Sequence, residues 1–399
     1  MKKLSLVFLI PAILISCSND RNLARRADRL HKCFLTVDTH CDTPILLVSS
    51  DYDLGERHEE ACVDFPRMKE GGLDAEFFAV YLAQGPRNGE AYNIVHQKTL
   101  EIFDSIHSNL RKNSRLAELA LTPDDACRLK KENRISVFIG VENGYAIGME
   151  TDRIREYYDL GARYMTLCHS SNNDICDSST DPRGPEHNGL SEFGREVVKE
   201  MNRTGMMVDV SHISDEAFYD VIRVSKAPVI ASHSSCRALC SSPRNLTDDM
   251  LHSLKSNGGV VQICILSSYI KTPEPNPEMD ARFEELRSKY GEFGKLGEDQ
   301  KKSYRKEMRE IFDKYRKLAT VADVLDHIDH VVQVIGVDHV GIGTDFDGGG
   351  GVEGCITVDQ MKNITIEMLR RGYSNKDIKK IWGGNIMRVL REVQESASV

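Results

Sequence analysis

Eight short apolar runs, separated by stretches with helical periodicity, constrain the fold of this chain more than any other sequence feature. Most of the runs are continuously apolar rather than alternating, which is typical of strands buried on both faces of a parallel sheet. Eight such strands alternating with helices predict an α/β fold of the (β/α)8, TIM-barrel type, with a doubly wound open sheet as the alternative. The predicted strands are residues 34–37, 75–81, 135–141, 162–167, 206–210, 228–231, 259–265 and 340–343.

Helical patterns fill most of the intervals between these runs, and one interval is exceptional. Residues 273–317 open with a proline-rich stretch and continue as two charged helical segments, residues 279–290 and 299–317. We expect an insertion after the seventh strand, either a lid or interface, or a solvated helical hairpin without a role. The other predicted helices are residues 93–108, 153–160, 192–204, 215–224, 248–256 and 358–371.

The N-terminus has the features of an export signal. A basic start is followed by an apolar stretch, residues 4–15, that is too short to span a bilayer. The following Ser16-Cys17 resembles a bacterial lipobox, which implies a signal peptide over residues 1–16 and lipidation of Cys17; the alternative is an ordinary secretory peptide with an incidental cysteine. We therefore expect an exported lipoprotein, with residues 17–33 as lipidated N-terminus and tether, held on a membrane and facing the periplasm or cell surface. The remaining residues, 34–399, form the predicted barrel domain.

Charge and cysteine content exclude two classes of function. The formal net charge is −9 and no basic patch stands out, which argues against nucleic acid as a partner. Eleven cysteines are scattered along the chain without a Cys-x-x-Cys pair, so a thiolate zinc site is not expected. Because the predicted core is large enough to fold without cross-links, we expect at most one or two disulfides, even in an exported protein.

Ionisable side chains follow six of the eight predicted strands, at the point where each strand ends. In a (β/α)8 barrel these ends surround one mouth, so the side chains should converge there. Taken singly, each is more often a core, turn or capping residue, but the same placement after six strands favours a common site. The candidates are His40 and Asp42 after the first strand, Glu142 after the third, His169 after the fourth, His212 after the fifth, His233 after the sixth and Asp345 after the eighth.

This set is too large for one metal ion. A catalytic zinc takes three protein ligands and a water molecule, whereas two metals bridged by a carboxylate accommodate more. Glu142 is the natural bridge because it comes from a central strand and carries two oxygens. A hydroxide held between two metals attacks a carbonyl, and Asp345 can then carry its proton to a leaving amine.

At these positions the chain resembles a known family, the membrane (renal) dipeptidases of the metal-dependent amidohydrolase superfamily. The resemblance extends from about Thr36 to Arg391. It depends on the motifs at residues 38–42 (DTHCD), 140–143 (GVEN), 164–170 (YMTLCHS), 208–212 (VDVSH), 232–235 (SHSS) and 343–348 (GTDFDG).

The resemblance implies a barrel with two zinc ions and assigns a role to each motif residue. His40 and Asp42 would hold one zinc, His212 and His233 the other, and Glu142 would bridge them. The substrate side would consist of His169, in contact with substrate, Asp345 as acid and base, Arg244, which would bind the dipeptide carboxylate, and Tyr269 as a further binding residue. A guanidinium suits the carboxylate because its planar fork donates two parallel hydrogen bonds.

The expected function is hydrolysis of dipeptides, including those with a C-terminal D-residue, by a homodimeric zinc enzyme. Two alternatives keep the same site. One is a two-metal hydrolase of another cyclic or linear amide, such as a lactam. The other is a binding lipoprotein that has lost catalysis, against which the complete set of seven groups argues.

Overall fold

A ring of eight parallel strands forms the centre of the computed structural model, which describes residues 12–291 and 295–397. Around the ring the order is β1-β2-β4-β5-β6-β7-β8-β9, and the short β3 pairs with β4 outside it. The strands are β1 (Val37–Cys41), β2 (Ala75–Tyr81), β3 (Ala117–Leu119), β4 (Ile135–Glu142), β5 (Ala162–Thr166), β6 (Met207–Asp209), β7 (Ile230–Ser234), β8 (Val260–Cys264) and β9 (Val340–Gly343).

The ring closes where the end of β1 meets the residues after β9. The Asp345 amide donates to the His40 carbonyl at 3.0 Å, and the Asp42 amide donates to the Phe346 carbonyl at 2.8 Å. The buried Asp38 carboxylate fastens the same seam, because it accepts from both the backbone and the hydroxyl of Thr344. The predicted TIM-type barrel is confirmed.

Two of the predicted strand boundaries were wrong. The first strand covers Val37–Cys41 rather than residues 34–37, and the sixth barrel strand covers Ile230–Ser234 rather than 228–231. In both cases the apolar run ends before the strand does. The last residues of the strand are polar, because their side chains can point into the barrel mouth. His40 and His233 therefore lie within strands, and the three-residue β3 was not predicted.

Helices lie between the strands, and side-chain caps begin several of them. Ser191, Ser214 and Thr247 each accept a hydrogen bond from a backbone amide three residues later. The helices are α1 (Ala12–Cys33), α2 (Pro44–Ser49), α3 (Phe65–Gly71), α4 (Gly89–Lys112), α5 (Pro123–Lys131), α6 (Asp152–Asp159), α7 (Glu192–Thr204), α8 (Asp215–Val224), α9 (Asp248–Asn257), α10 (Ser267–Ile270), α11 (Pro277–Tyr290), α12 (Glu298–Tyr315), α13 (Val321–Ile335), α14 (Lys362–Arg370), α15 (Asn375–Lys379) and α16 (Asn385–Glu395).

Side chains fill the interior of the barrel below its mouth. Phe77, Phe138 and Tyr164 stack there, and the apolar face of α16 packs under the first residues of the strands. A second apolar layer lies between the strands and the surrounding helices. Because the interior is plugged, a substrate has access only to the mouth, as is usual for this fold.

The segment expected to be a tether is helical. Helix α1 spans Ala12–Cys33, and its second half packs on the barrel through the buried Ala27, Leu30 and His31. The His31 ring forms hydrogen bonds with the Gly72 carbonyl and the Thr365 hydroxyl. Most of the predicted signal peptide, residues 1–11, and the side chain of Cys17 lie outside the described residues. In the part of the chain that is described, every helix is too short or too polar to span a bilayer.

The predicted insertion is a hairpin of two helices, α11 and α12, in the connection from β8 to β9. Phe283 and Phe312 hold the two helices together, with ring centroids 5.1 Å apart. The ten cysteines other than Cys17 are free thiols, and seven of them are buried. The seven buried cysteines therefore contribute to the core as small apolar side chains rather than as cross-links.

Candidate metal centre

A cavity of about 370 Å³ opens at the barrel mouth, where the strands end. The register of the sheet places these ends at one level, since Tyr81 of β2 and Thr166 of β5 both pair with Glu142 of β4. The predicted residues Asp42, Glu142, His169, His212, His233, Arg244, Tyr269 and Asp345 all line this cavity, together with Ile45, Tyr81, Leu266, Asp347 and Gly348. The ninth, His40, is fully buried beneath them.

Glu142 stands between two groups of histidines and turns one oxygen to each. Its Oε2 is 3.5 Å from Nε2 of His40, and its Oε1 is 3.1 Å from Nε2 of His212 and 3.6 Å from Nε2 of His233. Burial raises the pKa of this carboxyl, but the facing imidazoles of His40 and His212 hold it well below its usual value. Glu142 is therefore an anion with both oxygens directed at nitrogen ligands, the arrangement required of a bridge.

A tyrosine below the mouth orients His40. The Tyr164 hydroxyl donates to the Thr39 carbonyl at 3.1 Å, so it accepts the bond from Nδ1 of His40 at 2.8 Å. With its proton on Nδ1, His40 presents the lone pair of Nε2 to the cavity. That nitrogen faces Asp42 Oδ2 at 3.7 Å, and it has no hydrogen-bond partner.

A serine and an aspartate orient His233 in the same way. The Ser232 hydroxyl donates to Oδ2 of the buried Asp209 at 2.6 Å, and it therefore accepts from Nδ1 of His233 at 2.8 Å. The Asp209 carboxylate is itself fixed by the Thr166 hydroxyl and by the amides of Ser211 and Ser232. This chain of bonds directs the lone pair of His233 Nε2 into the cavity, where Nε2 of His212 lies 2.8 Å away.

The side chains at the mouth fit divalent metal ions. Among the described residues, His40 Nε2, Asp42 Oδ1 and Glu142 Oε2 are buried polar atoms without a hydrogen-bond partner, an arrangement that is costly unless a cation binds there. Imidazole nitrogens combined with carboxylate oxygens are ligands that zinc accepts. Three sets present ligand atoms within 4.8 Å of one another: His40, Glu142 and His233; Glu142, His169 and His212; and His40, Asp42 and Asp345.

Asp345 approaches this cluster from a constrained loop. Its backbone has a φ of +61°, and His212 has a φ of +72°, both in the left-handed region that side chains rarely adopt. The loop passes so close to the cluster that a Cβ on Gly348 would lie 2.0 Å from Asp42 Oδ2 and 2.4 Å from Asp345 Oδ1. Burial, and then the neighbouring Asp42 carboxylate, raise the pKa of Asp345 well above its usual value.

Arg244 supplies a cation to the wall of the cavity, from the segment after β7. Although it is only 4% exposed, its guanidinium has few partners. Nη2 donates to the His233 carbonyl at 3.1 Å and Nη1 to the Ser234 hydroxyl at 3.5 Å, while Nε has no partner. The ring of Tyr269 lies 5.3 Å from the guanidinium carbon. The remaining donors are available for an anionic group in the cavity.

His169 is the most exposed of the four histidines. Its Nε2 is 3.8 Å from Oε1 of Glu142, and its ring lies against those of His212 and Tyr81. Burial lowers its pKa, which favours a neutral imidazole. His169 therefore occupies the rim of the cluster, where it can contact both a ligand atom and a molecule in the cavity.

Besides four lining residues (Ile45, Leu266, Asp347 and Gly348), sequence reasoning missed two tyrosines and a pair that orients a histidine: Tyr81, Tyr164, Asp209 and Ser232. Tyr164 and Ser232 form hydrogen bonds to the histidines that they orient, and Asp209 acts one step further away, through Ser232. Tyr164, Asp209 and Ser232 do occur in the motifs at residues 164–170, 208–212 and 232–235, which was the only available signal. Tyr81 ends the second predicted strand, but it is not ionisable at neutral pH and was passed over.

The chain is similar to several known proteins. The model of the family described as membrane dipeptidase (Peptidase family M19) matches residues 24–399, which includes the second half of α1. Dipeptidase tcpJ of Claviceps purpurea is 34% identical over 341 residues, covering 84% of this chain and 70% of its own length. Dipeptidase 3 of Mus musculus is 30% identical over 394 residues, covering 94% and 68%. The crystal structure of the probable dipeptidase PvdM from Pseudomonas aeruginosa has a TM-score of 0.83 and 27% identity, covering 94% of this chain and 100% of that one.

Proposed function

Because this chain belongs to the membrane dipeptidase family and is a metal-dependent dipeptidase of that family, we propose that it hydrolyses dipeptides with two zinc ions, including dipeptides with a C-terminal D-residue. The observation that carries the proposal is the position of Glu142 between two groups of nitrogen and oxygen ligands in one cavity. The D-residue is included because the motifs resemble those of a family that tolerates it.

The residues around Glu142 divide into two ligand groups in this proposal. His40 and Asp42 would hold one zinc, and His212 and His233 the other, with Glu142 shared between them. Divalent ions bound there would lower the pKa of a water molecule and polarise a peptide carbonyl. The chain itself contributes the fixed tautomers, since Tyr164 and Ser232 keep the cavity-facing nitrogens of His40 and His233 unprotonated.

Asp345 moves the proton in this proposal. Its carboxylate lines the cavity beside Asp42, so it can take a proton from the attacking water. The carboxyl then delivers this proton to the amine as it leaves. Asp345 thus serves first as general base and then as general acid.

Arg244 and His169 position the substrate in this proposal. The free donors of Arg244 bind the C-terminal carboxylate of a dipeptide, and burial strengthens this pairing because water is excluded. His169, at the rim beside Glu142, contacts the carbonyl oxygen of the peptide bond. Recognition of a carboxylate one residue from the cleaved bond restricts the substrate to dipeptides.

Amino-acid release from a small panel tests the proposal. We expect the zinc-loaded protein to cleave L-Ala-L-Ala and L-Ala-D-Ala, and to carry two zinc ions by metal analysis. Activity should disappear with a chelator and return with zinc. L-Ala-L-Ala amide is the matched control, because it lacks the carboxylate and should be cleaved poorly. Failure to cleave any dipeptide, or equal cleavage of the amide, would contradict the proposal.

We also propose that the protein is an exported bacterial lipoprotein, lipidated at Cys17, and that it forms a homodimer. The basic start, short apolar stretch and Ser16-Cys17 support the lipid anchor. In cells, labelled fatty acid should enter the wild-type protein and not the Cys17→Ser variant, which should leave the membrane fraction. Light scattering of the detergent-solubilised protein should give twice the mass of one chain, and a monomer would contradict the dimer.

A further inference from the structure

An apolar groove of about 730 Å³ lies beside the metal centre. It runs between α2 and α4, and Tyr145 forms part of its wall. We call this feature the side groove. Three of the seven large hydrophobic side chains that are exposed in the described chain line it, namely Ile45, Val48 and Ile94. An exposed apolar concavity of this kind marks a binding surface more often than a solvated one.

The side groove is continuous with the cavity at the mouth. Ile45 and Tyr81 line both of them. Tyr81 ends β2, and its ring packs edge-on against His169 with centroids 4.9 Å apart. A ligand bound in the mouth cavity can therefore extend past Tyr81 directly into the side groove.

The order of the strands places the side groove opposite Arg244. Arg244 follows β7, the sixth strand around the ring, and Tyr81 ends β2, the second, so four of eight positions separate them. Glu142 and the histidines lie between the two. A dipeptide with its carboxylate at Arg244 and its peptide bond over Glu142 must therefore direct its N-terminal residue toward β2.

We propose that the side groove binds the side chain of the N-terminal residue of the substrate, and that the preferred residue there has a large aliphatic or aromatic side chain. This inference depends on the proposed function, because Arg244 defines the direction of the dipeptide. The mouth cavity of about 370 Å³ is lined largely by charged and polar side chains, whereas the side groove offers about 730 Å³ with an apolar lining that suits a leucine or phenylalanine side chain. Burial of that side chain against Ile94 and Val48 supplies the preference.

A series of dipeptides with a constant C-terminal residue tests the preference. We expect kcat/KM of the zinc-loaded protein for Leu-Gly and Phe-Gly to exceed that for Gly-Gly by at least about tenfold, since one or more methylenes in an apolar pocket have this effect. In Ile94→Gln the Leu-Gly to Gly-Gly ratio should fall toward unity. Leu116→Gln is the matched control, because Leu116 is also an exposed aliphatic side chain but lies at the start of β3, away from the mouth; there the ratio should not change.

The outcomes separate this inference from the proposed function. If no dipeptide is cleaved, both are wrong. If all three dipeptides are cleaved with similar kcat/KM, or if Ile94→Gln and Leu116→Gln change the ratio equally, only the side groove has been misassigned. An unchanged ratio in Ile94→Gln together with conversion of a dimer to a monomer by light scattering would assign the groove to a second copy of the chain instead. Val48→Thr replaces Ile94→Gln if that variant does not fold, with the same expected fall.

Discussion

The barrel mouth and the hairpin of α11 and α12 use charged residues in opposite ways. At the mouth, Glu142, Asp42 and Asp345 are buried in one cavity, and one oxygen of Glu142 and one of Asp42 lack hydrogen-bond partners. In the hairpin, the exposed Lys289 donates to Glu307 at 2.6 Å, and water surrounds the pair. The buried carboxylates at the mouth are therefore unfavourable until a cation binds there. The exposed ion pair of the hairpin carries no such penalty.

Backbone geometry shows the same difference. His212 and Asp345 adopt the left-handed conformation at the mouth, while α11 and α12 have ordinary helical backbone with an asparagine cap and an aromatic contact. Strain persists only where the surrounding structure imposes it, and at the mouth the seam between β1 and the residues after β9 and the close approach of Gly348 do so. We therefore expect substitutions at the mouth to change chemistry and metal binding, and substitutions in the hairpin to change little. The following predictions test this difference.

The largest expected effect is on turnover, in Asp345→Asn. The amide has the same size but cannot accept and return a proton, so kcat should fall by about 10²–10⁴-fold with two zinc ions retained. Asp347→Asn is a matched control two residues later, with a similar left-handed φ of +63°. Both of its oxygens already accept bonds, from the Thr43 hydroxyl and the Cys62 amide, so it should lose stability rather than kcat. Equal losses of kcat in the two variants would contradict the role of Asp345.

Asp42→Asn should remove one zinc ion without unfolding the protein. Burial, and then repulsion by Glu142, raise the pKa of Asp42 to about 6 from an ordinary value of 3.8. In the metal-free protein the folded state therefore binds more protons than the unfolded state between these values, and stability falls as the pH rises from about 4 to 6. Asp42→Asn lacks this carboxyl, so its metal-free form should be at least as stable as the wild type at pH 7.

Thermal unfolding of the metal-free proteins across this pH range, together with metal analysis, checks the effect of Asp42. The wild type should show the steeper decline above pH 4, and the variant should bind one zinc where the wild type binds two. A variant that fails to fold would show that Asp42 has a structural role instead. A variant with two tightly bound zinc ions would remove it from the ligand set.

A smaller effect is expected from Ser232→Ala, which breaks the link between Asp209 and His233. Without the hydroxyl, Nδ1 of His233 has no fixed acceptor and its tautomer is no longer set, so zinc affinity should fall by about 10–100-fold. Competition with a chromophoric chelator measures this affinity independently of turnover. Ser235→Ala is the control, because that hydroxyl donates to the Cys264 carbonyl and touches no ligand residue. An equal loss of affinity in both variants would indicate general damage to the mouth.

The difference between the two regions also explains which features could be predicted from sequence. The barrel strands and the helices α7 and α8 follow from periodicity, because each buries a regular apolar face, and the two helices of the hairpin follow from a charged helical pattern. The convergence of His40, Glu142 and His233 follows once the fold is a barrel, since strand ends share one mouth.

The remaining features depend on contacts between distant segments, and no local pattern encodes them. The bond from Tyr164 to His40 spans 124 residues, and that from Ser232 to Asp209 spans 23. Packing of α1 on the barrel likewise depends on His31 meeting Thr365. The first strand was misplaced for a related reason: Thr39 and His40 are polar, and their side chains have hydrogen-bond partners on β7 and β5, across the barrel.

The smallest effect is expected from Lys289→Gln, in the hairpin. The ammonium and the Glu307 carboxylate are exposed, so the gain from pairing them is offset by hydration and by the entropy of two long side chains. We expect the thermal midpoint to stay within about 1 °C of the wild type, and kcat/KM and zinc content to stay the same. None of the described residues of this insertion lines the mouth cavity. A severalfold change in kcat/KM would therefore show that the hairpin contacts the mouth during turnover. In that case the mouth and the hairpin would not be independent of each other.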